Sequence, residues 1–214
     1  MEILYFDNKI VVCVKPQGVL STDEPGGLPS LLRDTMGEPG MPLYTVHRLD
    51  AAVGGLMVLA RTRHAASDLG KAVQNGTFHK EYRAVVCGAA PERAGTFRDL
   101  LRRDKVKRMT FVAAESGPDI REAVLDYVVL AERDGLSLVR VVLHTGRTHQ
   151  IRCQFASRGL PIWGDKKYGL PGDGGEIALW SHALGFTHPA TGEPMQFEKA
   201  PPDTWPWTAF AGEG

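Results

Sequence analysis

Three stretches of the chain combine residue types that can do chemistry. In the first, His47-Arg48-Leu49-Asp50 runs into Ala51-Ala52-Val53-Gly54-Gly55-Leu56. A carboxylate directly before small residues can stand on an exposed loop that a ligand approaches closely; equally, Asp50 can cap a turn while Arg48 pairs with a surface acid. In the second, Lys80-Glu81-Tyr82-Arg83 opens a strand-like run, and alternation sends Lys80 and Tyr82 to one face. Tyr82 is then either a core residue with a wet hydroxyl or, beside Lys80, a stacking platform for a base. The third is His144-Thr145-Gly146-Arg147-Thr148-His149-Gln150-Ile151-Arg152, a strand end, a glycine turn and a polar helix start. Helical spacing puts Arg152 on the face of Thr148 and His149, with Ile151 and Phe155 towards the core. An arginine so held is either buried against a carboxylate or an ordinary exposed helix charge.

The elements that must position these residues are mostly short strands. Ile3–Phe6 and Ile10–Val14 read as a hairpin around Asp7-Asn8-Lys9, and Lys15-Pro16-Gln17-Gly18 ends the second strand. Residues 23–42 are rich in Gly and Pro around a short helical candidate, Ser30–Thr35. A better helix follows Thr62, with Ala65, Ala66, Leu69, Ala72 and Val73 at helical spacing and Asn75-Gly76 as its stop. Further strands are expected at Glu81–Val86, Met109–Ala113, Ala123–Leu130, Ser137–Leu143 and Ala178–Phe186, with Thr191-Gly192-Glu193-Pro194 turning into Met195–Phe197. Another helix is expected over Thr148–Arg158, closed by Gly159. Many strands and two or three helices predict an α+β fold around a mixed, mostly antiparallel sheet. The tail, with Trp205, Trp207 and Phe210, is expected to dock its aromatics on the body.

Composition narrows the function classes. The 214 residues hold 25 Lys plus Arg against 25 Asp plus Glu, so bulk charge does not coat nucleic acid, although a local basic strip can still meet phosphate. Such strips occur: Arg98 to Arg108 carries six Lys/Arg against two Asp, and Lys166-Lys167 adds a second cluster. Cys13, Cys87 and Cys153 form no CxxC pair, which predicts a reduced, cytoplasmic setting. The start lacks a signal-peptide pattern, and the cleanest apolar run, Gly54 to Ala60, is too short to span a bilayer. Motifs for nucleotide hydrolysis, serine hydrolysis and zinc proteolysis are missing. His149 and Cys153 are the one pair with metal-like spacing, and no second pair completes a site.

Taken in order, these stretches resemble the RluA-type pseudouridine synthases, which isomerise uridine in structured RNA. Lys15-Pro16-Gln17-Gly18 resembles the family's early Lys-Pro-x-Gly, His47-Arg48-Leu49-Asp50 its catalytic-loop motif, and Lys80-Glu81-Tyr82 its Lys-x-Tyr. Thr145 to Arg152 resembles its Thr-Gly-Arg-x-His-Gln-[Ile/Leu]-Arg; Gly164-Asp165 with Tyr168-Gly169, Ser181-His182-Ala183 and Thr187-His188-Pro189 follow in family order. The resemblance implies a mixed sheet with a central cleft, no cofactor and no metal. It implies Asp50 as nucleophile, Tyr82 as the base-stacking tyrosine and Arg152 as the arginine that pairs with the aspartate. Arg48 is implied as the residue that enters the gap left by a flipped nucleotide, with Lys80, Arg147 and His149 as further RNA contacts.

On this reading residues 1–214 are a single, stand-alone catalytic domain, expected to be monomeric and free of membrane, acting on rRNA or tRNA stem-loops. One departure bears on loop rigidity rather than on the chemistry: the family usually has Thr-Ser-Gly where this chain has Val53-Gly54-Gly55. That departure motivates an alternative, a non-catalytic RNA-binding or RNA-chaperone descendant of the fold. An unrelated hydrolase using Asp50 is a third reading, which would leave the later motifs as coincidence.

Overall fold

The computed structural model describes residues 1–171 and 174–213. Eleven strands form among these described residues: β1 (Ile3–Phe6), β2 (Ile10–Lys15), β3 (Tyr44–Thr45), β4 (Gly54–Ala60), β5 (His79–Cys87), β6 (Ala94–Asp104), β7 (Met109–Ala113), β8 (Ile120–Arg133), β9 (Leu136–Leu143), β10 (Leu179–Thr187) and β11 (Pro194–Glu198). Among the same residues three α-helices join them: α1 (Leu28–Met36), α2 (Arg63–Gln74) and α3 (Gln150–Ala156). The expected α+β class with mixed, mostly antiparallel pairing is what the chain adopts. It divides into two compact units, one of Met1–Lys80 with Trp180–Ala200, the other of Glu81–Leu179 with the chain from Pro201 onward.

In the first unit β2 lies antiparallel between β1 and β4, and β4 runs parallel to β10 through Trp180–Gly54 and Ser181–Gly55. Strand β10 then pairs antiparallel with β11. Strand β4 is buried from end to end, so it shows no polar alternation and reads in sequence only as an apolar run. Its core joins Ile10, Val12, Leu56 and Val58 to Ala65 and Leu69 of α2 and to Phe78, Leu184 and Phe186. The Phe78 and Phe186 rings stack there at 5.3 Å. Helix α2 starts where its sequence says, with the Thr62 side chain accepting the Ala65 N–H. Helix α1 starts two residues before the expected Ser30: it opens on Leu28-Pro29 behind Gly27, which makes no side-chain cap bond and so gives no capping signal.

The second unit is antiparallel throughout, β5 pairing β9, β9 pairing β8, β8 pairing β6 and β6 pairing β7. The edges Phe97, Tyr127 and Phe155 pack with ring centroids 4.6–5.8 Å apart. Strand β6 escapes a sequence reading because its exposed side is charged, whereas its inward residues Phe97 and Leu101 are buried. Helix α3 is shorter than Thr148–Arg158, because the backbone turns left-handed at His149 (φ 53°). Thr148 and His149 therefore stand outside the helix, and Arg152 does not share a helical face with them. Ile151 and Phe155 do face the core. In the tail, Phe210 is buried and Arg133 donates to the Ala209 carbonyl at 2.8 Å, while Trp205 stays 54% exposed, so the docking is partial. No helix among the described residues is long and apolar enough to cross a membrane.

Candidate active site

The Asp50 loop hangs between β3 and β4, and its shape comes from groups that bind it at both ends. Lys15, the last residue of β2, is fully buried, and its ammonium donates to the carbonyls of Pro16 (2.8 Å), Val19 (2.6 Å) and Ala51 (3.1 Å). Burial pushes its pKa down to about 8, while the Asp50 carboxylate pulls it back up. Gly18 N–H donates to the same Ala51 carbonyl at 2.8 Å, and Val53 N–H closes the loop onto the Asp50 carbonyl at 3.0 Å. Ser21 clamps the approach, donating to the Leu49 carbonyl (2.8 Å) and accepting the Leu49 N–H (3.1 Å). His47 accepts the Val58 N–H at Nε2 (3.1 Å), filling the stretch of β4 between its β3 and β10 partners. Burial, reinforced by the Lys80 charge, pushes the His47 pKa down to about 3, so the ring is neutral with its proton on Nδ1.

In the second unit, the loop into α3 is built around Gln150. Its Oε1 accepts from the Thr145 hydroxyl (2.8 Å) and the Arg147 N–H (3.0 Å), and its Nε2 donates to the Val124 carbonyl of β8 (3.1 Å). Arg152 is buried and meets Asp165 through two parallel bonds of 2.7 Å, from Nε and Nη2. Burial pushes the Asp165 pKa up, but the hydrogen bond and charge of Arg152, with the N–H groups of Lys167 and Tyr168, more than offset it and hold the carboxyl ionised. The Tyr168 ring lies 5.3 Å from the Arg152 guanidinium carbon. Its hydroxyl accepts the Thr110 N–H (2.6 Å) and shares a hydrogen bond with His149 Nδ1 (2.9 Å).

The seven residues singled out from the sequence are therefore placed as follows. Asp50 is half-buried and Arg48 beside it is exposed. Lys80 is buried, which pushes its pKa down. Tyr82 is buried on β5 next to Glu81, whose carboxylate pairs with Arg83 and with Arg140 at 2.6 Å. Arg152 and His149 meet on Tyr168, and exposed Arg147 donates to the Glu122 carbonyl at 2.9 Å. Sequence reasoning assigned no role to Lys15, Ser21, Asp165 or Tyr168, which hold these residues in place. The available signal was weak: a lysine closing an apolar strand, and an Asp and a Tyr three apart in a glycine-bounded loop.

The structure also accounts for Val53-Gly54-Gly55. A Cβ on Gly54 would lie 2.5 Å from the Trp180 ring and 3.0 Å from Gln17 Cγ; one on Gly55, at φ 114°, would meet the Ser181 backbone at 2.4 Å. Trp180, with its indole N–H on the Lys199 carbonyl (3.0 Å), occupies the space that a serine side chain at position 54 needs. Gly54→Ser is expected to destabilise the protein by about 1–3 kcal/mol in urea unfolding through overpacking, and Trp180→Leu added to it should recover part of that loss. A Gly54→Ser protein as stable as wild type would show that the indole yields. Lys15→Met takes the ammonium from the carbonyls of Pro16, Val19 and Ala51, of which Ala51 keeps the Gly18 N–H, and is expected to cost roughly 2–4 kcal/mol; a loss below ~1 kcal/mol in the same measurement would mean that the backbone bonds hold the loop alone.

Comparison with known proteins fits this geometry. The family model for RNA pseudouridylate synthase matches residues 9–157. An uncharacterized RNA pseudouridine synthase of Aquifex aeolicus is 33% identical, covering 96% of this chain and 71% of that protein. Another, from Bacillus subtilis, is 35% identical over 95% of this chain and 70% of its own length. The ribosomal large subunit pseudouridine synthase D of Neisseria meningitidis serogroup A is 33% identical over 95% of this chain and 59% of that protein. In fold, the chain is similar to human RNA pseudouridylate synthase domain containing 1, with a TM-score of 0.80 at 22% identity over 95% of this chain and 84% of that one. The matched segment contains the Asp50 loop, Tyr82 and the loop into α3, and the chain belongs to the RNA pseudouridylate synthases of RluA type, isomerases that act on RNA.

Proposed function

We propose that this chain works as a single catalytic domain that converts one or more uridines of structured rRNA or tRNA to pseudouridine, with Asp50 as its nucleophile. The observation that carries the reading is the Asp50 loop: a half-buried carboxylate on a backbone fixed by the buried Lys15 ammonium and by Ser21. A reacting group held in one geometry before substrate arrives needs no reorganisation at the chemical step. The name of the Neisseria relative, a synthase of the large ribosomal subunit, supports rRNA among the candidate targets.

The chemistry is redox-neutral. The N1–C1′ bond of uridine breaks, uracil turns, a C5–C1′ bond forms, and the C5 proton is lost while N1 gains one. Asp50 supplies the carboxylate that attacks. Arg152 pairs with that carboxylate, and its fork is aimed by Asp165. Tyr82 stacks on the base and moves a proton during the rearrangement, and the exposed Arg48 fills the gap left when the nucleotide leaves its stack. Lys80, Arg147 and His149 contact the RNA. Flipping costs a few kcal/mol, least in loops and distorted stems, which favours stem-loop targets.

Incubating the protein with rRNA and tRNA lacking the modification and mapping new pseudouridines tests the activity directly. Asp50→Asn, nearly isosteric, should fold normally and form no product; more than a trace of product on the wild-type target would sink the assignment. A protein that binds these RNAs and leaves every uridine unchanged would instead be the non-catalytic descendant. Tyr82→Phe keeps the ring and deletes the oxygen. It should bind RNA with near-normal affinity and turn over about 10²–10⁴-fold more slowly. A single-turnover rate equal to wild type would reduce Tyr82 to a stacking surface worth ~1–3 kcal/mol.

A further inference from the structure

We infer that the β6–β7 hairpin is an arm that grips the phosphate backbone of an RNA stem, an inference resting on the function proposed above. The chain is neutral, yet six of its 25 cations and only two of its 25 acids lie between Arg98 and Arg108. One acid, Asp104, shares the tip with five cations, and the other is drawn off it. Asp99 is taken by Arg158 (2.9 Å) and Gln154 (2.7 Å), and Asp104 accepts the Val106 and Lys107 N–H groups of its own turn (2.9 Å each). Arg98 is matched by Glu122 at 2.7 Å. Arg102, Arg103, Lys105, Lys107 and Arg108 are all exposed and make no ion pair among the described residues.

Their arrangement says more than their number. Arg102 stands opposite Phe111 and Arg103 opposite Thr110, so alternation sends the two guanidinium groups to opposite faces of the ribbon, with Lys105 and Lys107 at the turn. Arg103 shares the side on which Leu101 and Thr110 are buried against the body, and Arg102, Lys105, Lys107 and Arg108 surround the free end; cations spread around the end of a two-stranded arm suit phosphates on either side of a stem groove better than a single strand lying on one face. Recognition of double-stranded RNA rests mainly on shape and backbone contacts of this kind.

The arm is also anchored. Thr110 donates its N–H to the Tyr168 hydroxyl (2.6 Å) and its own hydroxyl to the Thr148 carbonyl (2.8 Å), and Lys167 donates to the Arg108 carbonyl (2.7 Å). Tyr168 is the residue that meets His149 and faces Arg152. The hairpin thus has a fixed origin relative to the proposed catalytic arginine, so a stem held by the arm is held in register with that arginine.

The test is RNA affinity as a function of salt, measured on a stem-loop RNA and on an unpaired oligonucleotide of equal length. The triple variant Arg102→Gln/Arg103→Gln/Lys105→Gln is compared with Arg63→Gln/Lys71→Gln/Arg93→Gln, which removes three exposed charges elsewhere. On the stem-loop, the hairpin variant should bind about tenfold or more weakly and flatten the slope of log K against log salt by about 2–3, while the control keeps the wild-type slope. On the unpaired strand the hairpin variant should lose less. A wild-type slope in the hairpin variant, or an equal loss in the control, overturns the inference, and an equal loss on the unpaired strand overturns the assignment to a stem. Pseudouridine mapping in parallel separates the two readings. Hairpin-dependent binding without product overturns the proposed activity alone, whereas product formed with hairpin-independent binding overturns the arm alone.

Discussion

An ammonium taken out of water must find acceptors, and Lys15 finds three of them on two different stretches of chain. The carbonyls of Pro16 and Val19 belong to the turn after β2; the Ala51 carbonyl belongs to the loop that carries Asp50. Burying a charge is costly unless it is paired or hydrogen-bonded, so the two stretches cannot separate without exposing or orphaning it. The geometry of the Asp50 loop is therefore a consequence of a lysine that has nowhere else to put its charge. His47 completes the hold from the other side, giving β4 an acceptor where neither neighbouring strand supplies one, and its neutrality in a buried site is what lets Nε2 accept.

The second unit solves a similar problem with the opposite pair. Arg152 is buried and always charged, and Asp165 meets it with both oxygens while accepting two backbone N–H groups from its own loop. A guanidinium fixed through Nε and Nη2 presents its remaining edge in one direction only. Tyr168 then ties this arginine to His149 and, through Thr110, to the base of a hairpin.

How much of this was legible in the sequence follows from which interactions are local. Thr62 capping α2 and the Asp7-Asn8-Lys9 turn are local, and both are where the residues put them. Strand β4 was hidden because burial on both faces removes alternation, and β6 because its exposed face carries the charges that sequence reads as a solvated loop. The late start of α3 goes with Gln150 reaching back to Thr145 and Arg147, which competes with continuing the helix upstream. In the candidate site, Asp50, Tyr82 and Arg152 stood out through motif order. Lys15 and Asp165 stood in that order too, but their roles, like that of Ser21, exist only once distant segments are in contact.

The exchange of Thr-Ser-Gly for Val53-Gly54-Gly55 shows that a loop can be stiffened in more than one way. Hydroxyls next to a catalytic carboxylate would restrain the backbone by hydrogen bonds. Here Val53 is buried and Gly54 lies under the Trp180 ring, so restraint comes from close packing of an indole that is itself pinned to the Lys199 carbonyl. The missing side chain at position 54 is the condition for that packing, because any Cβ would displace the ring. Gly55 adds a second condition: its positive φ and the Ser181 backbone exclude every other residue, and Ser181 returns a hydrogen bond to the Leu56 carbonyl at 3.0 Å. Loss of two hydroxyls from sequence is therefore not loss of order in the loop. Packing of Trp180 on Gly54 restrains the loop at the point where the absent hydroxyls would otherwise act.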